Sequence, residues 1–337
     1  MKEYISRVIE GKSLSEFEAE KIMDAIMEGE ATAAQIGALL MGLRIKGETI
    51  EEITGFARTM RRRAVRFSVQ RDVVDTCGTG GDCRGTFNIS TAASFVVAGA
   101  GLAVAKHGNR SVSSRCGSAD VLEHLGVKVD LEPHLAEKCL EEVGIAFLFA
   151  PKFHLAMKYA AGPRKEIGVR TVFNVLGPLT NPAAAAGQVL GVFDPGLTEP
   201  LASVLGALGC RRAFVVHGTD GLDEITIAGP TRVTELNAGF IHTYLFDPRD
   251  VGISLGTPED MQGGSAADNA RIIRNVLKGE KGPQRDVVLV NSAFALLAGN
   301  KAVSLEDALF KTGRSIDSGA ALGKLDGLIR YTGSCVA

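Results

Sequence analysis

The chain reads as an α/β protein, a mostly parallel sheet flanked by helices, joined to a second, smaller all-helical domain. Three observations predict this. From Asp72 onward, short β-branched runs alternate with helical segments, the pattern of parallel βαβ units. The residues before Asp72 contain helical segments and no strand. Glycine is abundant, 40 of 337 residues, and tryptophan is absent, which suits a fold with many tight strand–helix turns.

The elements follow in order. MKEYISRVIEGK is charged and helical and has no apolar core of the signal-peptide kind. SLSEFEAEKIMDAIMEGE places Phe17, Ile22 and Ile26 near a 3.6-residue period, with Ser13 and Ser15 as N-cap material. TAAQIGALLMGLRIKGE and TIEEITGFARTMRRRA repeat the form, each opened by a threonine. The basic run Arg61, Arg62, Arg63 and Arg66 reads as a solvated helix end that complements the helix dipole. Leu39, Leu40, Met41 and Leu43 are candidates for a symmetric helical interface, because such short amphipathic segments cannot bury all their apolar faces alone.

Next, DVVDTC is a strand, STAASFVVAGAG a buried helix and LAVAKHG a strand. SADVLEHLG is a helix, VKVD a strand, LAEKCLEEVG a helix and IAFLFAP a strand. GQVLGVFD, PLASVLGALG and RAFVVHG extend the series as strand, helix and strand. RVTELN and IHTYLFD alternate between apolar and polar residues and read as an antiparallel excursion. SAADNARIIRNVLKG and VVLVNSAFALLAG are helices of the C-terminal third. MKYAAGPRKEIGVRTVFNVLGPLTNPAAAAG, with three prolines, breaks the alternation, and its helical start is expected to rejoin the N-terminal helices. The expected division is residues 1–66, joined by part of about 160–185, for the helical domain, and 67–337 for the α/β domain.

Composition excludes several function classes. A formal net charge of -2 provides no positive field for nucleic acid. No stretch reaches the ~18 apolar residues that span a membrane. The six cysteines form no C-x-x-C pair and no zinc spacing, so they read as reduced thiols of a cytoplasmic protein.

The chemistry lies in three loops. In DTCGTGGDCRGTFNIST, Gly78, Gly80 and Gly81 follow a strand and precede a helix, where backbone N–H groups and the helix dipole favour an anion. Glycines let the backbone close on phosphate oxygens. The loop is no P-loop, since G-K-[ST] is absent, and G-x-G-x-x-G fails at Cys83. Asp82, Thr86, Asn88, Ser90 and Thr91 supply groups suited to phosphate, ribose hydroxyls and hydrated Mg²⁺, although Asn88 and Ser90 also suit helix capping. KHGNRSVSSRCGSAD reaches the same carboxyl edge of the sheet. There Lys106 can neutralise phosphate, Asn109 offers an amide, and Ser111, Ser113 and Ser114 offer hydroxyls; a solvated basic loop is the plainer alternative. His107 reads as holding the loop through a backbone hydrogen bond rather than as a general base. In HGTDGLDEIT, Asp223 and Glu224 can converge on Mg²⁺ from a loop, though alone they read as a solvated acidic turn. Together the loops fit a Mg²⁺–polyphosphate sugar and not a hydride cofactor, since no acidic residue follows the glycine loop at the ribose spacing.

GTGGD, TFNIST, KHGNRSVSS, GSADVLEHLG, GPRKEIGVRTVFNVLGPLTNP and HGTDGLDEI, in this order and along nearly the whole chain, resemble the anthranilate phosphoribosyltransferase family. The resemblance implies an α/β domain plus a helical domain, and a homodimer through the helical domains. It implies transfer of the phosphoribosyl group of 5-phosphoribosyl diphosphate to anthranilate in tryptophan synthesis, with Mg²⁺ and release of diphosphate. On that basis Gly78, Gly81, Asp82, Thr86, Asn88, Ile89, Ser90 and Thr91 would hold the diphosphate and its metal, with Ser90 a ligand. Lys106, Asn109, Ser114 and Ser118 would line the phosphoribosyl side, and His107, Gly108 and Arg110 of the same loop would also count as substrate-binding. Asn109, Arg164 and His154 would face anthranilate, Asp223 and Glu224 would hold Mg²⁺, and the catalytic weight would fall on Lys106, Asn109 and Arg164. Cys83 stands where a glycine is common, and Leu155 where a proline often follows the histidine. The alternatives are a pyrimidine nucleoside phosphorylase and a non-catalytic nucleic-acid-binding relative.

Overall fold

A computed structural model describes residues 1–111 and 115–335. Its N-terminal part is made of helices α1 (Lys2–Ile9), α2 (Glu16–Met27), α3 (Ala33–Lys46) and α4 (Ile50–Arg63). Ser15, Thr32 and Thr49 open the last three through capping boxes, with Glu18, Gln35 and Glu52 returning a bond to the cap N–H. Ser15 caps α2; Ser13 lies outside the helix. Glu52 is fully buried, also accepts the N–H of Leu14 at 2.9 Å and pairs with Lys46 at 2.9 Å, so it joins three chain segments at one carboxylate.

The expected interface leucines point inward. Leu39, Leu40 and Leu43 are at most 1% exposed and fill the bundle's own core, because α9 (Lys158–Ile167) closes over α3. The outward large apolar side chains of α1 to α4 are Ile9, Phe17, Ile45 and Ile50, at 68%, 64%, 81% and 38% exposure, so Phe17 leaves the apolar face on which its spacing placed it.

The remaining elements alternate as the sequence predicts. They are β1 (Val74–Gly78), α5 (Ile89–Gly99), β2 (Val104–Gly108), α6 (Ser118–Leu125), α7 (Pro133–Val143), β3 (Ile145–Phe149) and α8 (Ala150–Phe153). After α9 come α10 (Phe173–Leu179), β4 (Gly187–Gly191), α11 (Thr198–Ala207), β5 (Arg212–Gly218), β6 (Thr231–Asn237) and β7 (Phe240–Phe246). Four helices end the chain: α12 (Ala266–Leu277), α13 (Pro283–Ala298), α14 (Leu305–Asp317) and α15 (Ala320–Ser334).

The strands form one sheet in the order β3-β2-β1-β4-β5-β6-β7. β1 to β5 are parallel, and β6 and β7 add the antiparallel excursion. β1 is central, and Val74 to Gly78 pair in register with Gly187 to Gly191 of β4. Strand order reverses at β1, which opens a crevice at the carboxyl ends of β1, β2 and β4. VKVD (127–130) is not a strand: Val127 and Val129 are buried, but an extended connection with one inward face shows the same alternation. One face of the sheet packs on α5, α13 and their neighbours; the other shares a core with the helical bundle through Cys77, Leu190 and Val215.

Arg61 also departs from expectation. Arg62 and Arg63 pair with Glu20 and Asp24 on α2 and with Glu28 just after it, but Arg61 turns inward. Its Nε donates to Leu179 O at 2.7 Å and its Nη1 to Leu208 O at 2.9 Å, satisfying terminal carbonyls of α10 and α11.

Candidate active site

The glycine loop leaves β1 over the dicarboxylate loop. Gly80 N–H donates to Asp223 Oδ2 at 2.8 Å, and a Cβ on Gly78 would stand 2.6 Å from that oxygen. Gly80 and Gly81 have φ of +66° and +80°, which explains the adjacent glycines. Cys83 follows at φ +58°, where glycine is the easier residue. Ser90 N–H, in the first turn of α5, donates to Glu224 Oε1 at 3.2 Å. The two adjacent carboxylates therefore converge on one loop, as a non-strand conformation allows.

These acids are short of positive partners. Burial, then the carboxylates of Asp82 and Glu224, push Asp223 well above the usual carboxylate range. Burial raises Glu224 to about 7 despite Lys106 and Ser90. Asp82 Oδ2 is buried with no hydrogen-bond partner in the described residues, while Oδ1 accepts from Arg84 N. Among the described residues no three His, Cys, Asp or Glu side chains form a complete metal cage. Buried carboxylates with an orphaned oxygen fit Mg²⁺, which takes few protein ligands and completes its shell with water and phosphate.

Lys106 is not a loop lysine. It lies buried under the loop, with Nζ donating to Thr76 O at 2.5 Å and to Ser90 Oγ at 3.3 Å. Burial lowers its pKa, and the nearby acids Asp75 and Glu224 oppose that. Asp75, raised to about 6 by burial, accepts from Asn181 Nδ2 at 2.8 Å and His107 N at 3.3 Å. Thr91 Oγ1 is buried without a partner among the described residues, Ile89 is a core side chain, and Thr86 bridges to Gln262. Asn88 joins the loop before α6 to α12: its Nδ2 donates to Cys116 O at 3.1 Å, and its Oδ1 accepts from Asn269 at 3.0 Å.

The β2 loop is shaped by its own contacts. Ser118 Oγ donates to Asn109 O at 3.2 Å, and Asn109 Oδ1 accepts from Arg110 N at 2.8 Å. A Cβ on Gly108 would collide with Ser118 and Phe147. The guanidinium of Arg110 is engaged by Asp120 at 3.1 Å and Glu123 at 2.7 Å on the protein surface. Ser113 and Ser114 lie outside the described residues.

α10 forms the wall on the bundle side. His107 Nδ1 lies 3.2 Å from Gly177 O and His154 Nε2 lies 3.0 Å from Thr180 O; since a carbonyl only accepts, these nitrogens carry the protons. His107 thus holds the loop through the backbone, as its sequence context suggests. The rings are 5.2 Å apart, and His107 Nε2 and His154 Nδ1 remain buried acceptors without partners in the described residues. Burial drives the two imidazoles down to about 3 and about 4, so both are neutral. Arg164, on α9, stacks over Phe173 at 4.9 Å and makes no ion pair among the described residues. Sequence reasoning missed Asp75, Asn181, Arg170 and Phe193; their contacts join segments far apart in the chain, and no local pattern signals them.

Comparisons with known proteins bear on the fold and the family. The profile of a glycosyl transferase family a/b domain matches residues 70–322, and that of the family's helical bundle domain matches residues 2–64. The chain is 63% identical, over all of both chains, to an anthranilate phosphoribosyltransferase of Moorella thermoacetica. It is 56% identical to that of Acetivibrio thermocellus, over all of this chain and 98% of the relative. The crystal structure of anthranilate phosphoribosyltransferase from Thermus thermophilus matches with a TM-score of 0.93 at 42% identity, covering 98% of this chain and 99% of that one. The Saccharomyces cerevisiae enzyme in complex with PRPP and Mg matches at 0.89 and 27% identity, over 98% of this chain and 97% of that one. With fold and sequence alike over nearly the whole chain, the chain belongs to the anthranilate phosphoribosyltransferase family.

Proposed function

We propose that the protein transfers the 5-phosphoribosyl group of 5-phosphoribosyl diphosphate to the amine of anthranilate, releasing diphosphate, as a step of tryptophan biosynthesis. The observation that carries this reading is the convergence of Asp223 and Glu224 on the glycine loop and the start of α5. Gly78, Gly81, Asp82, Thr86, Asn88, Ile89, Ser90 and Thr91 surround the diphosphate in this reading, and Ser90, Asp223 and Glu224 hold Mg²⁺. The ion, when bound, neutralises the charge that develops on the leaving diphosphate.

The chain's own groups do the rest. The glycine-loop backbone and the N-terminus of α5 meet the leaving group with N–H dipoles. Lys106 acts from beneath, holding Ser90 and offsetting the acidic cluster rather than touching phosphate from the loop. Arg164, without an ion-pair partner among the described residues, takes the anthranilate carboxylate in a paired hydrogen bond. Asn109 and His154 face anthranilate beside Arg164 in this reading, His154 as a neutral imidazole whose Nδ1 is free to accept among the described residues. The nucleophile needs no strong base, because its nitrogen lone pair is available and the proton departs after the bond forms. Alignment of two substrates then supplies up to ~7–11 kcal/mol.

The division into residues 1–66, joined by part of about 160–185, and 67–337, a homodimer through the helical part, and a cytoplasmic location complete the proposal. Turnover with anthranilate and 5-phosphoribosyl diphosphate in Mg²⁺ buffer tests it. Turnover of thymidine with phosphate instead would favour the nucleoside phosphorylase reading.

A further inference from the structure

The segment between α9 and α10 reaches the glycine loop through a side chain that the reading above does not use. Arg170 Nη2 donates to Gly81 O at 2.6 Å, and the same guanidinium lies over the Phe193 ring, 4.5 Å from its centroid. A Cβ on Gly81 would stand 3.4 Å from Arg170 Cζ, so the flat group lies directly against the glycine. Phe193 is anchored to the same loop: its N–H donates to Thr79 Oγ1 at 3.2 Å, and Thr79 N–H donates to Gly191 O at 2.9 Å. One arginine thus joins the linker after α9, the end of β4 and the glycine loop.

We infer that Arg170 is a positioning residue for the phosphoribosyl donor. The carbonyl of Gly81 and the N–H of Asp82 belong to one planar trans peptide and point in opposite directions. Drawing the carbonyl toward Arg170 therefore aims the Asp82 N–H away from the linker and fixes the peptide from which the Asp82 carboxylate departs. Gly81, at φ +80°, has no side chain to resist rotation of that peptide, so an outside contact must set it. A guanidinium suits the task because it can donate in its plane while its face rests on an aromatic ring; an ammonium cannot do both. The inference rests on the reading of the glycine loop as the diphosphate site.

Steady-state kinetics with both substrates varied tests it, starting from the wild-type protein. Arg170→Ala is expected to raise KM for 5-phosphoribosyl diphosphate about tenfold, the loss of one charge-assisted hydrogen bond. KM for anthranilate stays within about twofold, and the melting temperature hardly moves because the side chain is exposed. Arg170→Lys recovers part of the donor KM, since lysine can still donate to Gly81 O. Phe193→Leu raises donor KM on its own and adds little on top of Arg170→Ala, because both act through one guanidinium. No turnover by the wild type overturns the reading of the site and this role with it. Turnover by the wild type, with donor KM unchanged in Arg170→Ala or both KM values raised equally, overturns this role alone. A lysine variant no better than alanine, or additive effects of the two substitutions, overturns the proposed contact as the cause.

Discussion

Gly78 and Asp223 meet at the carboxyl edge of the sheet, and the carboxylate occupies the space a side chain on the glycine would need. The separation from an added Cβ would be 2.6 Å. Gly78→Ala is therefore expected to push Asp223 off the Gly80 N–H at ~1–3 kcal/mol. That corresponds to a fall of about 5- to 150-fold in kcat/KM, read by steady-state assay. An alanine variant within threefold of wild type would show that the carboxylate's placement does not matter.

The acidic pair carries the metal prediction. Asp223→Asn with Glu224→Gln removes two buried carboxylates that burial already holds above their ordinary range, so the fold is expected to survive. Turnover should drop sharply and lose its dependence on Mg²⁺ concentration. Superimposable Mg²⁺ titrations for variant and wild type would remove the assignment.

His154 carries a pH prediction. Its folded pKa of about 4 lies below the ordinary 6.5, so its contribution is present above pH ~6.5 and is lost as pH falls toward 4, when the unfolded chain takes up the proton first. Asp75 and Glu224, raised to about 6 and about 7, act in the opposite sense across the same window. The readout is thus the difference between His154→Gln and wild type in chemical denaturation. It should move in the variant's favour by about 1.4 kcal/mol per pH unit below ~6.5. A flat difference between pH 7 and 5 would contradict a buried neutral imidazole.

Arg164→Ala is expected to reduce kcat/KM for anthranilate by about 10- to 200-fold, as a charge-assisted contact of roughly 1.5–3 kcal/mol implies. The donor KM should barely change. Equal losses for both substrates would exclude Arg164 as the carboxylate's partner.

Assembly is tested at Ile45. The bundle's leucines are internal, so a dimer through the helical part must use exposed side chains such as Ile9 and Ile45 on α1 and α3. Sedimentation should give about twice 35.5 kDa, and Ile45→Glu should shift it toward one chain's mass. A wild-type mass of one chain at micromolar concentration would end the proposal.

The sheet was largely legible because parallel strands buried on both faces read as apolar runs; RAFVVHG coincides with β5 residue for residue. VKVD failed since alternation reports a buried face and not a hydrogen-bonded neighbour. The three loops were legible from glycine spacing and polar type, whereas side-chain direction was not. Lys106 and Arg110 are both cations near the same loop in sequence, but one is buried under Ser90 and the other is paired with Asp120 and Glu123. Arg61 belongs to an exposed-looking run, and only the carbonyls of Leu179 and Leu208, brought in by the fold, draw it inward.

The in-register pairing of β1 with β4 has a consequence for synthesis on the ribosome. One edge of β1 is met early, by β2, but the other waits for Gly187 to Gly191, about a hundred residues later. The helical bundle is likewise closed only when α9 and α10 emerge. At ~5–20 residues per second, the nascent chain spends several seconds with an open central strand and an uncovered bundle face. Chaperone capture should be strongest in that interval and should end as β4 leaves the exit tunnel.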